Sequence, residues 1–149
     1  FPHFAISLAF VQGGRPSVAI VLDPSRNELF TAVRGGGAHL NGHPIRSSAT
    51  HALGEALLAT GFPYDATTRP RDNMGYFLKM MALSRGVRRA GSAALDLAYV
   101  AAGRLDGLWE PRLGPWDVAA GLLLIEEAGG RASDFQDGPL DLARRKIDV

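Results

Sequence analysis

The strongest constraint on the fold is an apolar segment that follows Pro115 and stops at Gly129 and Gly130. Proline is favoured at the first position of a helix because its missing N–H would have no intrahelical partner there, and glycine commonly ends a helix. The pattern predicts a helix to about Ala128. Asp117 lies in its first turn, where free N–H groups and the helix dipole favour an ionised carboxylate. Asp117 either stabilises the helix start alone or also holds a metal cation.

The residues on both sides of this helix predict alternating helices and strands. Residues 92–102 are rich in alanine, which favours a helix, and Ser92 is a plausible N-cap. Residues 106–110 and 131–135 read as short strands. Helices and strands that alternate with short connections indicate an α/β layer. Because strand ends and helix starts often face one crevice in such sheets, Glu110 and Asp117 would flank one ligand.

The chemistry of these positions has more than one reading. The two carboxylates, Glu110 and Asp117, either bind a cation together, or one binds the cation while the other accepts hydrogen bonds from substrate hydroxyls. Gly91, Ser92 and Ala93 are small, so a substrate oxygen can approach their backbone N–H groups closely. A tightly packed helix in which Ser92 acts only as a cap explains the same residues.

The N-terminal part of the chain predicts an antiparallel meander. Strand-length apolar runs occupy residues 4–11, 18–22 and 28–33, with turn residues between them. Asn41 and Gly42 form the dipeptide best suited to a tight two-residue hairpin turn. The glycine triplet at 35–37 is read as a structural turn. A phosphate-cradling loop is the alternative, although neither Lys-Ser/Thr nor a helix follows it.

The central part of the chain predicts a strand, a loop, a helix and a second strand. Residues 56–60 have strand character, and residues 64–72 are polar and contain proline, which indicates a loop. Residues 72–84 place Met74, Phe77, Leu78, Met81 and Ala82 at roughly helical spacing. A short strand is expected at residues 87–89.

Composition limits the class of protein and its partners. The 149 residues are 46% hydrophobic and 21% charged, which is typical of one globular domain. The formal net charge of +1 gives no footprint for nucleic acid or an anionic membrane. The short basic run at Arg88 and Arg89 is read as a solvated face. The absence of cysteine excludes disulfides and thiol chemistry and suits a cytoplasmic location. The start at Phe1 predicts that the sequence is a fragment.

Residues 91–130 resemble the inositol monophosphatase family of magnesium-dependent, lithium-sensitive sugar-phosphate phosphatases, especially the bacterial inositol-1-monophosphatases. The family motif W-D-x-A-[AG]-G is matched by Trp116, Asp117, Ala119, Ala120 and Gly121. The resemblance extends over nearly the whole chain. The sequence FPHF at the N-terminus is similar to the family segment after its acidic metal-binding motif, and GGGAHLNGHPI is similar to a family turn.

The resemblance implies a residue-by-residue assignment of the site. Asp117 would be a catalytic residue and a ligand of the second Mg²⁺ ion. Glu110 would accept hydrogen bonds from inositol hydroxyls, and Gly91, Ser92 and Ala93 would line the substrate. In the family mechanism two or three Mg²⁺ ions activate a water for attack on phosphorus and stabilise the leaving alkoxide. The family also implies a homodimer acting on a small sugar or polyol phosphate, with inositol 1-phosphate hydrolysed to inositol and phosphate.

The fold implied by the resemblance is an α/β protein, the layered α-β-α-β-α sandwich of the sugar-phosphatase superfamily, incomplete at both ends. Residues 1–149 would form a single domain. Within it, residues 1–60 would supply the later strands of the first sheet and residues 61–149 the second α/β layer.

The sequence departs from the family by lacking its other metal-ligand motifs. Neither the Glu-Glu pair nor the Asp-Pro-Ile/Leu-Asp-Gly-Thr motif occurs in it. A magnesium ion held by one protein carboxylate binds weakly, so the 149 residues alone are expected to be catalytically inactive. An inactive interaction domain that keeps the fold is therefore the alternative function.

The substrate is also open within the family. Similar proteins act on fructose 1,6-bisphosphate, histidinol phosphate, NADP or 3′-phosphoadenosine 5′-phosphate. Trp109 and Glu110 favour a polyol such as inositol. The discriminating contacts are expected around Glu110 and in the loop at residues 69–73.

Overall fold

The computed structural model describes residues 2–63 and 71–149 and shows two sheets with helices packed on them. The first sheet contains β1 (Ile6–Gln12), β2 (Arg15–Asp23), β3 (Glu28–Val33), β4 (Ala38–Leu40) and β5 (His43–Pro44). The elements that follow are β6 (Leu57–Thr60), α1 (Arg71–Leu83), β7 (Gly86–Arg88), α2 (Ala93–Ala101), β8 (Gly107–Trp109) and α3 (Pro115–Glu127). The predicted α/β class is therefore confirmed.

The first sheet is the predicted antiparallel meander, with its strands in chain order. Val18 pairs with Phe10 of β1 and with Val33 of β3, and Phe30 pairs with Val21. Asn41 and Gly42 have φ angles of 49° and 81° and connect β4 to β5, which confirms the hairpin turn.

The two faces of this sheet have different environments. Side chains alternate between faces along a strand, and one face packs on α3 and α2. Its buried members are Ala19, Val21, Phe30 and Ala32. The other face is apolar but exposed, with members on the first three strands: Ile6, Leu8, Phe10, Val18, Leu29 and Val33.

The glycine triplet binds a side chain of the protein itself. The N–H groups of Gly35 and Gly37 donate to the two carboxylate oxygens of Glu127, at 2.8 and 2.9 Å. These bonds hold the pKa of Glu127 below its usual range. The triplet, called the glycine turn below, therefore uses these N–H groups to tie the meander to the end of α3 and supports the structural reading over a phosphate cradle.

The second sheet is parallel and has the strand order β7-β6-β8. Right-handed crossovers explain where its helices lie. The connection from β6 through α1 to β7 and the connection from β7 through α2 to β8 run in opposite directions across the sheet, so right-handedness places α1 and α2 on opposite faces. A strand–helix–strand unit also pairs its strands in one sheet, which is why Leu57–Thr60, predicted with residues 1–60 in the first sheet, belongs to the second.

The helix pair α2–α3 forms the centre of the core. Residues 118–125 of α3 are all buried, because α2 and the first sheet, through β1 and β2, both contact this helix. The two helices approach closely at Gly121, where an added Cβ would lie 2.5 Å from the Cβ of Leu97. The first sheet contacts mainly α3, and α2 also contacts β8 of the second sheet, which gives the β-α-β order of a layered sandwich.

Several sequence predictions differ from the structure. Residues 131–135 form no strand, because Asp134 closes a turn there. Its carboxylate accepts the N–H groups of Gln136 and Gly138 at 2.9 and 2.7 Å. Helix α1 already begins at Arg71, within the predicted loop, whereas residues 64–70 lie outside the described part.

Ser92 occupies the N-cap position of α2, but its side chain makes no capping hydrogen bond. Its backbone oxygen accepts the Asp96 N–H at 2.9 Å, as in any first helical turn. The predicted cap is therefore correct in position and wrong in mechanism.

Among the helices of the described residues, none combines the length and the apolar character that a membrane span requires.

Candidate active site

A cavity of about 770 Å³ lies at the carboxyl ends of the three parallel strands. Gly61 follows β6, Arg89 follows β7 and Glu110 follows β8, and all three residues line the cavity. The crossovers from adjacent strands leave toward opposite faces of the sheet, which opens a crevice where ligands of α/β proteins bind.

All five residues that the sequence analysis assigned to the site line this cavity. Gly91, Ser92 and Ala93 bring in the N-terminus of α2, Asp117 brings in the N-terminus of α3, and Glu110 lies at the strand end. Two helix N-termini with free N–H groups and partial positive charge thus face the same space. This arrangement suits a ligand with anionic or hydroxyl oxygens.

Asp117 stabilises the start of its own helix. Its Oδ2 atom accepts the Gly114 N–H at 2.9 Å, and Pro115 occupies the first helical turn, as predicted. The structure therefore shows the capping role directly, and the position beside the cavity is compatible with the metal role as well.

The described residues do not complete a magnesium site. Across residues 2–63 and 71–149, no group of three His, Cys, Asp or Glu side chains could hold a metal ion. Mg²⁺ prefers several oxygen ligands in octahedral geometry, and here Asp117 provides one candidate carboxylate at the cavity wall. These residues fit one part of such a site and do not form a whole one.

Glu110 is a partly buried carboxyl with a raised pKa. Burial raises the pKa of Glu110 to about 7, and the nearby carboxyl groups of Asp96 and Asp117 add to the effect. The guanidinium of Arg89 acts in the opposite direction. Arg89 is exposed, as the sequence analysis expected, but it also lines the cavity.

Two titratable cavity residues, His3 and Asp96, were given no role on the basis of the sequence. The side chains of His3 and Asp96 are 4% and 3% exposed, and His3 Nε2 lies 4.0 Å from Asp96 Oδ1. Burial raises the pKa of Asp96 to about 7, and burial is also the main cause that lowers the pKa of His3. Burial thus disfavours the charged form of both groups, which weakens this contact as an ion pair. The sequence did contain a signal for the burial of Asp96, because it is the one charged residue among small and apolar residues at the start of α2.

Gly61 makes room for the Glu110 carboxyl group. A Cβ atom added at Gly61 would overlap the Glu110 carboxyl atoms, which means that this carboxyl packs directly on the Gly61 backbone. A side chain at position 61 would therefore displace the Glu110 carboxyl group. The sequence analysis did not single out this glycine.

Comparison with known proteins identifies relatives of this arrangement. The model of the inositol monophosphatase family matches residues 1–149. A protein of Escherichia coli K12 named Nus factor SuhB is 54% identical over 137 residues, covering 92% of this chain and 51% of its own. An inositol-1-monophosphatase of Rhizobium meliloti is 50% identical over 141 residues, covering 92% of this chain and 52% of its own.

Solved structures agree with these relatives. The inositol monophosphatase of Anabaena (Nostoc) sp. PCC 7120 has a TM-score of 0.94 and 46% identity, covering 99% of this chain and 58% of its own. The chain thus spans about half the length of the curated relatives it matches. With the match over the full 149 residues, we conclude that the chain belongs to the inositol monophosphatase family.

Proposed function

We propose that this chain is part of a Mg²⁺-dependent phosphomonoesterase that hydrolyses inositol 1-phosphate to inositol and phosphate. The observation that carries the proposal is the convergence of Glu110, Asp117 and the N-terminus of α2 on one cavity. A polyol phosphate needs acceptors for its hydroxyls and positive partners for its phosphate. The carboxylate of Glu110 supplies the first, and the two helix N-termini supply part of the second.

In this proposal each residue has a separate task. Glu110, in its ionised form, accepts hydrogen bonds from the hydroxyls of the polyol and so orients it. Gly91, Ser92 and Ala93 let the substrate approach the backbone of α2 closely. Asp117 provides one carboxylate ligand for Mg²⁺. When bound, Mg²⁺ supplies an activated water and neutralises charge on the phosphate.

The remaining metal ligands have to come from outside the described residues, because those residues offer no group of three. The chain of 149 residues by itself is therefore expected to release no phosphate from inositol 1-phosphate in Mg²⁺. Phosphate release by this chain alone would contradict that expectation.

The test of the proposal is Asp117→Asn in the full-length protein. A metal contributes several kcal/mol to the transition state, so removing a ligand carboxylate should lower kcat/KM by at least about 100-fold. Mg²⁺ binding, measured by titration calorimetry, should weaken in parallel. The matched control is Asp137→Asn, an exposed aspartate paired with Arg131 away from the cavity, which should keep both values. Full activity of Asp117→Asn would refute the ligand role.

A second candidate function follows from the comparisons. The relative from E. coli is named a Nus factor and not a phosphatase. A catalytically inactive interaction domain that keeps the fold is therefore the alternative. If the full-length protein shows no Mg²⁺-dependent release of phosphate from inositol 1-phosphate or from the other family substrates, this alternative replaces the enzyme.

The cellular and oligomeric setting belongs to the same proposal. We expect a cytoplasmic homodimer, as the family resemblance implies. Light scattering coupled to size-exclusion chromatography of the full-length protein would give twice the monomer mass if this is correct.

A further inference from the structure

A buried network of polar groups lies directly behind Glu110. At its centre is Asn73, which is 2% exposed and belongs to the first turn of α1. Its Nδ2 atom donates to Thr60 Oγ1 at 2.9 Å and to the Gly61 carbonyl oxygen at 2.6 Å. Its Oδ1 atom accepts the indole N–H of Trp109 at 2.6 Å. Because an indole N–H can only donate, the orientation of the amide is determined by this contact.

The network joins the carboxyl ends of two neighbouring strands. Thr60 ends β6 and Trp109 ends β8, and Thr60 Oγ1 also donates to the Trp109 carbonyl oxygen at 2.7 Å. One side chain of α1 thereby connects both strand ends. Such a network is costly to disturb, because a buried polar group left without a partner has also lost the hydrogen bonds that it makes to water in the unfolded chain.

These two strand ends carry the residues that place the Glu110 carboxyl group. Glu110 follows Trp109 directly, and Gly61, on which its carboxyl packs, follows Thr60 directly. A shift of either strand end changes the distance between the Gly61 backbone and the carboxyl group. Substrate-discriminating contacts were expected in the loop at residues 69–73, and a helix was expected from residue 72. Asn73 is buried in α1, so it fits the predicted helix and not the loop.

We propose that Asn73 is a positioning residue that holds Glu110 against Gly61 and thereby sets how tightly the polyol end of the substrate binds. Asn73 does not line the cavity and acts through the strand ends. The kinetic part of this inference rests on the proposed function. Glu110 is assigned to hydroxyls that do not react, and such contacts bind ground state and transition state alike, which changes KM more than kcat.

The kinetic test is Asn73→Ala in the full-length protein, with inositol 1-phosphate at saturating Mg²⁺. KM should rise about tenfold, which corresponds to one hydrogen bond, while kcat stays within about twofold. In a Glu110→Gln background the same substitution should change KM by less than about twofold. The proposal is overturned if Asn73→Ala raises KM by the same factor in the Glu110→Gln background as in the wild-type protein. It is also overturned if Asn73→Ala lowers kcat and leaves KM unchanged.

A second variant and a control protect the test against simple loss of stability. Trp109→Phe removes the indole N–H together with part of the ring, so the bond to Asn73 is lost, and it should raise KM in the same direction. Ser84→Ala is the control. Ser84 directly follows α1, and its hydroxyl donates to the Met80 carbonyl oxygen at the C-terminal end of that helix, far along the helix from Asn73, so KM should not change.

A crystal structure of the full-length Asn73→Ala variant separates this inference from the proposed function. The Glu110 carboxyl group should move by about 1 Å or more from the Gly61 backbone, whatever substrate the protein uses. A Glu110 position that matches the wild-type protein would overturn the positioning role even if the phosphatase activity is found. If the wild-type protein shows no phosphatase activity but Glu110 is displaced in the Asn73→Ala variant, the proposed function is refuted and the positioning role remains supported.

Discussion

Replacing Asp96 with asparagine should stabilise the protein at alkaline pH and have little effect at acidic pH. Burial raises the pKa of Asp96 from its ordinary value of 3.8 to about 7 in the folded protein. Between these values the folded protein keeps a proton that the unfolded chain has lost, so the free energy of unfolding falls as pH rises and becomes level above about 7. Asparagine has no such titration.

The expected size of the effect follows from the two pKa values. A difference of about three pH units, at about 1.36 kcal/mol each, gives about 4 kcal/mol over the whole window. From pH 5 to pH 8.5, the free energy of unfolding of the variant should rise by about 3 kcal/mol relative to that of the wild-type protein. For a protein of this size or larger, that gain corresponds to a rise of about 6–12 °C in Tm.

The assay is urea denaturation followed by tryptophan fluorescence at both pH values, with EDTA present to remove metal ions. The quantity of interest is the change with pH in the difference between variant and wild type, because titrating groups that do not interact with Asp96 cancel, whereas Glu110, whose pKa Asp96 raises, contributes to the difference. The matched control is Asp141→Asn, whose carboxylate is 56% exposed, so it tests the loss of one charge without burial. A difference between Asp96→Asn and wild type that is equal at the two pH values would refute the reasoning.

Two further predictions concern packing and the end of α3. Gly121→Ala should destabilise the protein by about 1–3 kcal/mol, because its Cβ would lie 2.5 Å from the Cβ of Leu97, whereas Gly75→Ala, with open space in α1, should stabilise it by about 0.5–1 kcal/mol. Thermal denaturation of the two variants measures this difference. Equal changes in Tm for Gly121→Ala and Gly75→Ala would contradict the close approach of α2 and α3 at Gly121. Glu127→Gln should cost about 1 kcal/mol in urea denaturation, because the amide nitrogen of glutamine cannot accept one of the two hydrogen bonds from the glycine turn. Its neighbour Glu126, in an exposed pair with Arg34, is the control, and an equal loss in Glu126→Gln would argue against this role.

Local sequence patterns were enough to predict most of the secondary structure. Strand β3 has the predicted bounds, and α3 begins at Pro115 because proline and the following apolar run act through local geometry. The missing strand at residues 131–135 shows the limit of such patterns. Apolar content alone did not reveal that the Asp134 side chain would satisfy the backbone in a turn.

The candidate site could be predicted in part, for a similar reason. The motif around Asp117 and the strand-end position of Glu110 are visible in the sequence, and the fold brings both to one cavity. Gly61 and Asn73 could not be found in this way. Their importance comes from contacts across the sheet to Glu110 and Trp109, which lie 36 or more positions away in the chain.

The sequence by itself determined most of the element types, the turn at Asn41 and Gly42, and the family to which the chain belongs. These depend on short-range geometry or on a motif read directly from neighbouring residues. The tertiary structure alone decided which sheet β6 joins, how deeply Asp96 is buried and which groups support Glu110. Each of these depends on long-range packing, and desolvation of a carboxyl group exists only when residues distant in the chain surround it.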